Sequence, residues 1–559
     1  MRRNILGFYL LIVMTVTSGT WAQSGAPPEV QKAQSLIQAK DYDGAIKILE
    51  PYLQQNPNRL GSWNIIGGAY LQRGDYDKAI EAYQKVLQVP PLRPQAWYNL
   101  AVIHALKNNK EEAFKYLQMV RATGSFDMDQ ITADARLKGL HNDARFEKLI
   151  PKPEDFASPF AEKVKIIHEW VSEAKGSQFG WIARKIGDVD GDKVIDFTTS
   201  APTYAVNGQP AGRIYVYSSK SGKLLWTQTG KPGEALGMGV EWAGDTNADG
   251  IPDVIAGAPN ADKAYVYSGK DGKVLLTLSP QSSGESFGNH VSTMGDINGD
   301  KHDDVLVGAP GNNNNGQGAG RAYVFSGKDG SLLLTLDGEK AGDAFGNAVA
   351  GYRDKKYSFV IVGAPGAGAK HSGRVYVYEG LSDKPKFVFD SDETGARLGG
   401  MFLSVLGDVN GDAVPDIYAS DWSNNAKGNS TGRIYVYSGR DGKPLLTLTG
   451  EGAGDGFGIG VADAGDVNRD GHADLIIGAW QHSSAALFGG RVYLYSGKDG
   501  SLLQTYTGRI AGETFGFDAT GIGDVDGDGV IDFLLTSAWS GIKGFQSGRL
   551  YIVSGKAAR

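Results

Sequence analysis

No cysteine occurs among the 559 residues, which excludes disulfides, thiol nucleophiles and Cys-ligated zinc. Basic residues are outnumbered, 56 lysines and arginines against 63 aspartates and glutamates. With a formal net charge of −7 there is no cationic surplus to neutralise phosphates, so no nucleic-acid partner is expected. Histidine is sparse, and His104, His141, His168, His290, His371 and His482 show no metal or triad spacing. Nucleophile elbows, phosphate-cradling loops and metalloprotease motifs are missing as well. These gaps argue against an enzyme. Beyond the first residues no apolar run is long enough to cross a bilayer, so the mature chain is expected to lack a membrane span.

What is present is a leader and two kinds of repeat. Arg2 and Arg3 precede an apolar run, Ile5 to Val16, and small residues follow up to Ala22. Residues 1–22 therefore read as a signal peptide, and the protein as exported: extracellular, at a cell surface or periplasmic. The 79 glycines, 10 tryptophans and 25 tyrosines fit a turn-rich chain with sizeable cores, in two or more domains.

From Glu29 to about Gly124 the sequence repeats every 34 residues. Asp41-Tyr42-Asp43-Gly44-Ala45-Ile46 returns as Asp75-Tyr76-Asp77-Lys78-Ala79-Ile80, and more loosely as Asn109-Lys110-Glu111-Glu112-Ala113-Phe114. Ala79, Tyr83, Val86 and Leu87 keep helical spacing. The period and pattern resemble the tetratricopeptide repeat family, which implies paired helices with a concave groove for a protein or peptide partner. A terminal helix pair is expected over residues 131–150, closing a helical domain of 29–150. Arg73-Gly74-Asp75 spells an adhesion tripeptide, but its place between two helices reads as a C-cap glycine followed by an N-cap aspartate. Pro151, Pro153 and Pro159 mark residues 151–162 as a linker.

The remainder, 163–559, is organised by an acidic nonapeptide with oxygen-bearing side chains at positions 1, 3, 5 and 9. The cleanest copy is Asp524, Asp526, Asp528 and Asp532. Its relatives are Asp188, Asp190, Asp192 and Asp196; Asp245, Asn247, Asp249 and Asp253; and Asp296, Asn298, Asp300 and Asp304. Asp408, Asn410, Asp412 and Asp416, then Asp466, Asn468, Asp470 and Asp474, complete the set. Such crowding is repulsive unless a cation sits among the carboxylates, and hard oxygens suit Ca2+. The pattern predicts up to six Ca2+ ions, with the backbone carbonyls of Val194, Ile251, His302, Val414, His472 and Val530 as further ligands and both histidine side chains turned outward. Position 6 is Gly250, Gly471 or Gly529 in three loops but Lys193, Lys301 or Ala413 in the others. A positive φ there would weaken binding in the latter three. A degenerate copy, Gly351 to Tyr357, has one acid and three basic residues and should hold no ion.

Counting that copy, seven units follow one another at steps of 51–58 residues. Each carries a Phe-Gly or Leu-Gly pair such as Phe287-Gly288, then the acidic loop, a strand usually ending in Gly-Ala-Pro, and an alternating strand such as Arg433 to Tyr437. An Asp-Gly hairpin and another strand end the unit. Four short strands repeated seven times predict a β-propeller. The last unit lacks a fourth strand, and Val164 to Val171 has the missing pattern, so the ring should close with an N-terminal strand. The fold class is thus multidomain, a helical tetratricopeptide-type solenoid followed by a seven-bladed β-propeller.

These marks resemble the FG-GAP repeats of the integrin α-subunit propeller. The resemblance implies Ca2+ in hairpin loops on the lower face and a protein or glycan ligand on the upper face. There Trp422, Trp480 and Trp539 replace the proline of Gly-Ala-Pro in the last three blades, and Tyr204 lies on the next blade. They are the candidate ligand surface, the alternative being that each tryptophan packs between blades. The reading is an exported, calcium-binding interaction or adhesion-type protein. The alternatives are a polysaccharide lyase or hydrolase built on the propeller, or a structural subunit of an envelope complex.

Overall fold

The computed structural model describes residues 27–88, 93–391, 393 and 396–556. The leader expected over residues 1–22 lies outside them. By spatial contact the chain divides into two compact units, residues 1–109 and 110–559.

The first unit is helical: α1 (Pro28–Gln38), α2 (Tyr42–Gln55), α3 (Leu60–Arg73), α4 (Tyr76–Leu87) and α5 (Pro94–Leu106). Buried residues recur every three or four positions, as in Ala45, Ile46, Leu49 and Leu53 of α2 and Ala79, Ala82, Tyr83 and Val86 of α4. Small residues set the helix spacing. A Cβ at Gly67 would lie 3.1 Å from the Tyr83 ring. Asp41 caps α2 by accepting the Gly44 amide at 2.9 Å. Gly74 ends α3 at φ 89°, as its capping role requires. Asp75 departs from expectation: its carboxylate makes no cap bond and pairs instead with Arg73, whose other nitrogen holds Asp43 at 2.7 Å.

The second unit opens with α6 (Lys110–Ala122). The helix pair expected over residues 131–150 is cut short, to single helical turns at Gln130–Ala133 and Ala144–Glu147 on either side of a 3-10 segment, Ala135–Leu140. The cause is local, because Asp134 and Asp143 each accept the amide two residues on and restart the chain.

The rest is a ring of seven four-stranded antiparallel sheets. In blade 1 the strands are Ala183–Gly187, Asp196–Ala201, Arg213–Tyr217 and Leu224–Thr229, and five further blades follow this meander. The second strand of a blade, such as Asp253–Ala258 or Asp304–Ala309, is buried at every residue because blades cover both of its faces. Aromatic and β-branched residues fill the space between neighbours, with Ile255 and Val266 of one blade against Val305, Phe287 and Tyr323 of the next.

Blade 7 is built from both ends of the propeller sequence. Ala519–Gly523, Asp532–Ser537 and Arg549–Val553 are joined by Ile166–Val171, with Trp170 opposite Leu550. The closing segment also grips blade 6. Phe160 bridges to Gly508, and Glu162 accepts the Thr507 amide and hydroxyl at 2.7 Å each. Residues 159–162, read as linker, therefore lie along a blade. On the innermost strands, Arg184 of blade 1 pairs with Asp518 of blade 7 and, at 3.1 Å, with Glu241 of blade 2. Its guanidinium also reaches to 5.9 Å from the Phe402 ring of blade 5.

Candidate metal centres and the opposite face

Each acidic nonapeptide connects the first two strands of its blade, and its ninth residue stands at the entry to the second strand. All six loops share one hydrogen-bond scheme. The carboxylate at position 1 accepts the amides of positions 5 and 6, as Asp524 does from Asp528 and Gly529 at 2.9 and 2.8 Å. The side-chain oxygen at position 3 accepts the amide of position 5, and the carboxylate at position 5 accepts that of position 7. The backbone thus wraps the carboxylates and fixes where their oxygens converge.

Position 9 is the most constrained. Asp196, Asp253, Asp304, Asp416, Asp474 and Asp532 are each fully buried. One oxygen accepts the amide of position 2, as at Val189 (2.9 Å) and Val525 (2.8 Å). The other accepts an amide from the segment that follows the third strand: Ser219, Gly269, Gly327, Gly439, Gly497 or Gly555, at 3.0–3.2 Å. Burial, opposed by these amides and reinforced by neighbouring aspartates, pushes the carboxyls of Asp196, Asp253, Asp304, Asp416 and Asp532 up to about 6. Asp474 is raised for the same reason.

A buried acid that resists ionisation is a favourable partner for a divalent cation. In the two loops with aspartate at position 3, one oxygen from each of Asp188, Asp190 and Asp196, or of Asp524, Asp526 and Asp532, lies within 4.8 Å of the others. That span is about twice the Ca–O distance of roughly 2.3–2.6 Å. The oxygen-only donor set fits a hard cation, with Asn247, Asn298, Asn410 and Asn468 holding position 3 elsewhere.

The strain expected at position 6 is real but not confined to three loops. Lys193, Lys301 and Ala413 take φ of 61–71°, and Gly250, Gly471 and Gly529 take 82–85°. Position 4 is also left-handed, with Ala248 and Arg469 near 60° and glycine in the other four loops. Five loops therefore carry one strained non-glycine residue each, and only 524–532, with Gly527 and Gly529, carries none.

Nor do the position-7 histidines turn outward. His302 Nδ1 donates to the Thr246 carbonyl at 2.7 Å and His472 Nδ1 to that of Val409 at 2.8 Å, each tying its loop to the preceding blade's. The degenerate copy makes the same tie with arginine, since Arg353 donates to the Ile297 carbonyl at 3.0 Å. Its one acid, Asp354, is spent inside the turn on the amides of Lys356 and Tyr357, both at 2.7 Å.

The three tryptophans come together. Ring centroids of Trp422 and Trp480 are 6.4 Å apart and those of Trp480 and Trp539 4.7 Å, with Phe517 5.7 Å from Trp480. Trp480 is only 3% exposed, whereas Trp422 and Trp539 are half-buried. Tyr204 is not part of this group; it packs beside Phe179 and Tyr215 under the Arg213 guanidinium, 3.8 Å away. Sequence reasoning missed a clasp in which the third-strand Arg-x-Tyr grips a glutamate. Arg491 and the Tyr493 hydroxyl both reach Glu451 at 2.9 Å. Its signal is a glutamate 40 residues before the arginine, repeated at Glu173/Arg213 and Glu393/Arg433.

Comparison with known proteins agrees with this geometry. The tetratricopeptide repeat family matches residues 30–88 and 69–127, and the FG-GAP repeat family matches residues 287–325. The helices are tetratricopeptide repeats and the ring is an integrin α-like FG-GAP propeller. Integrin alpha-3 of Cricetulus griseus is 29% identical over 269 residues, 44% of this chain and 24% of its own length. Integrin alpha-4 of Xenopus laevis is 29% identical over 200 residues, covering 33% and 19%. Integrin alpha-8 of Homo sapiens is 24% identical over 317 residues, covering 52% and 28%. The chain thus spans less than a third of the length of these relatives. No helix among the described residues is long and apolar enough to cross a membrane.

Proposed function

We propose that this is an exported calcium-binding interaction protein of adhesion type, in which Ca2+ braces the propeller and both repeat regions bind partners. The observation that carries the reading is the loop cradle, repeated six times around a buried ninth carboxylate. Up to six ions are held by positions 1, 3, 5 and 9, from Asp188 to Asp532. Calcium supplies the charge that lets the ninth carboxylate ionise, while the amides orient the oxygens and tie the loop to the segment after the third strand.

The role is structural, and recognition belongs on the opposite face. The half-buried rings of Trp422 and Trp539 keep some aromatic area open there for a protein ligand, with Trp480 as their buried support. The tetratricopeptide repeats within 29–150 provide a second protein-binding surface. The test is metal content and melting of the full chain. Elemental analysis should find up to six calcium ions per chain, and chelation should lower the melting temperature substantially. A calcium-free protein with an unchanged melt refutes the structural role.

A further inference from the structure

We propose that Lys165 and Lys556 are tethered counter-ions of the ring-closing loop 524–532, holding it together without a metal and competing with Ca2+ for it. The inference rests on the calcium reading above and adds what sets this loop apart from the other five.

In two of the blades whose third and outermost strands are joined by a hairpin, the lysine opening the outermost strand is occupied by an aspartate within that hairpin. Lys273 pairs with Asp271 and Lys443 with Asp441, both at 2.6 Å. Blade 7 has no such hairpin, because its third and outermost strands come from opposite ends of the propeller sequence. Lys165, immediately before the closing strand, therefore has no hairpin aspartate to meet. Its ammonium goes to Asp526 Oδ2 at 2.5 Å. Lys556, just past the third strand, reaches Asp528 Oδ2 at 3.4 Å. Both lysines spring from the closing seam, where the Ser554 amide donates to the Lys165 carbonyl at 2.9 Å and the Gly555 amide to Asp532 at 3.2 Å.

Asp526 and Asp528 are positions 3 and 5 of the loop, so the ammonium groups take lone pairs that an ion needs. The acids are fixed in the cradle, with side chains 12% and 18% exposed, whereas the lysines are 58% and 57% exposed. A dication can displace them into solvent, at the cost of the pairing they supplied. Loop 188–196 is the natural control. It has the same four aspartates, but its hairpin lysine, Lys220, donates to the Asp192 carbonyl at 3.0 Å and not to a carboxylate. Loop 408–416 is intermediate, with one cation, Arg440, on Asp412 at 3.0 Å.

The experiment is hydrogen-exchange mass spectrometry of the full chain across a calcium titration, with melting curves in chelator and in saturating calcium. It compares wild type, the single Lys→Ala variants, K165A/K556A, and K165R/K556R as the charge-preserving control. In chelator, K165A/K556A should exchange faster over 160–172 and 549–556 and melt lower than wild type, a difference that closes in calcium. Its calcium midpoint over 519–537 should fall on the order of tenfold, with 183–201 unmoved and K165R/K556R behaving as wild type. A wild type that responds to calcium, with K165A/K556A matching it in every condition, overturns the counter-ion role alone. A wild type without any calcium response overturns the calcium reading and the competition together.

Discussion

At the residue scale the ninth aspartate governs how the protein responds to pH. Without metal, Asp196, Asp253, Asp304, Asp416 and Asp532 ionise near 6 in the folded chain, against an ordinary value of 3.8. The folded state then binds more protons than the unfolded one between those values. The stability this lends is full below the unfolded value and lost as pH rises through the folded one. Chelated protein should accordingly melt at a lower temperature at about pH 7.5 than at about pH 5, and added calcium should raise the melt far more at the higher pH. A chelated melt that is flat or rising across that window contradicts the buried-acid account. The acids themselves were legible in the sequence, since their spacing is a side-chain pattern. Their cradle was not, because any residue except proline donates an amide. Only the serine or glycine just after each third strand, at Ser219 or Gly327 for example, hints at it. The second left-handed position escaped for a related reason: glycine marks position 4 in four loops, but Ala248 and Arg469 hide it in the other two.

At the scale of elements, the strand that closes the ring does the most with the fewest residues. Trp170 donates to the Gly222 carbonyl at 2.9 Å and meets Phe197 edge-on at 5.0 Å, so one indole fastens blade 7 to blade 1. Trp170→Ala should cost about 3 kcal/mol in urea unfolding; an unaltered midpoint means closure does not depend on this anchor. Alternation of apolar and polar residues predicted that strand and the whole four-stranded unit, because a strand's period is written in its side chains. Over residues 131–150 the periodicity overstates helix length. Apolar spacing there resembles a helix, while Asp134 and Asp143 interrupt it with local hydrogen bonds that periodicity does not register. Asp75 misled in the opposite way, as a residue suited to an N-cap is claimed by Arg73 nearby.

At the scale of the molecule, Arg184 joins blades 7, 1 and 2 through a fully buried Asp518 and a partly buried Glu241. Arg184→Ala strands Asp518, whose side chain is 0% exposed, and should cost about 3–5 kcal/mol. Replacing the group as a whole, R184M/E241Q/D518N, should recover much of that loss in thermal melts. Equal losses in the two variants would mean that pairing is not what Arg184 contributes. Nothing in local pattern marks this group, since its members are 57 and 334 positions apart and meet only once the ring has formed. Ring closure over such distances also has a consequence in time. Glu169 of the closing strand and its partner Arg549 are separated by 380 positions. At ribosomal speeds of roughly 5–20 residues per second, the strand waits about 20–80 s for its mate to be synthesised. Throughout that interval an apolar edge bearing Ile166, Ile167 and Trp170 is unpaired, which makes nascent chains stalled before residue 549 the form of this protein most in need of a chaperone.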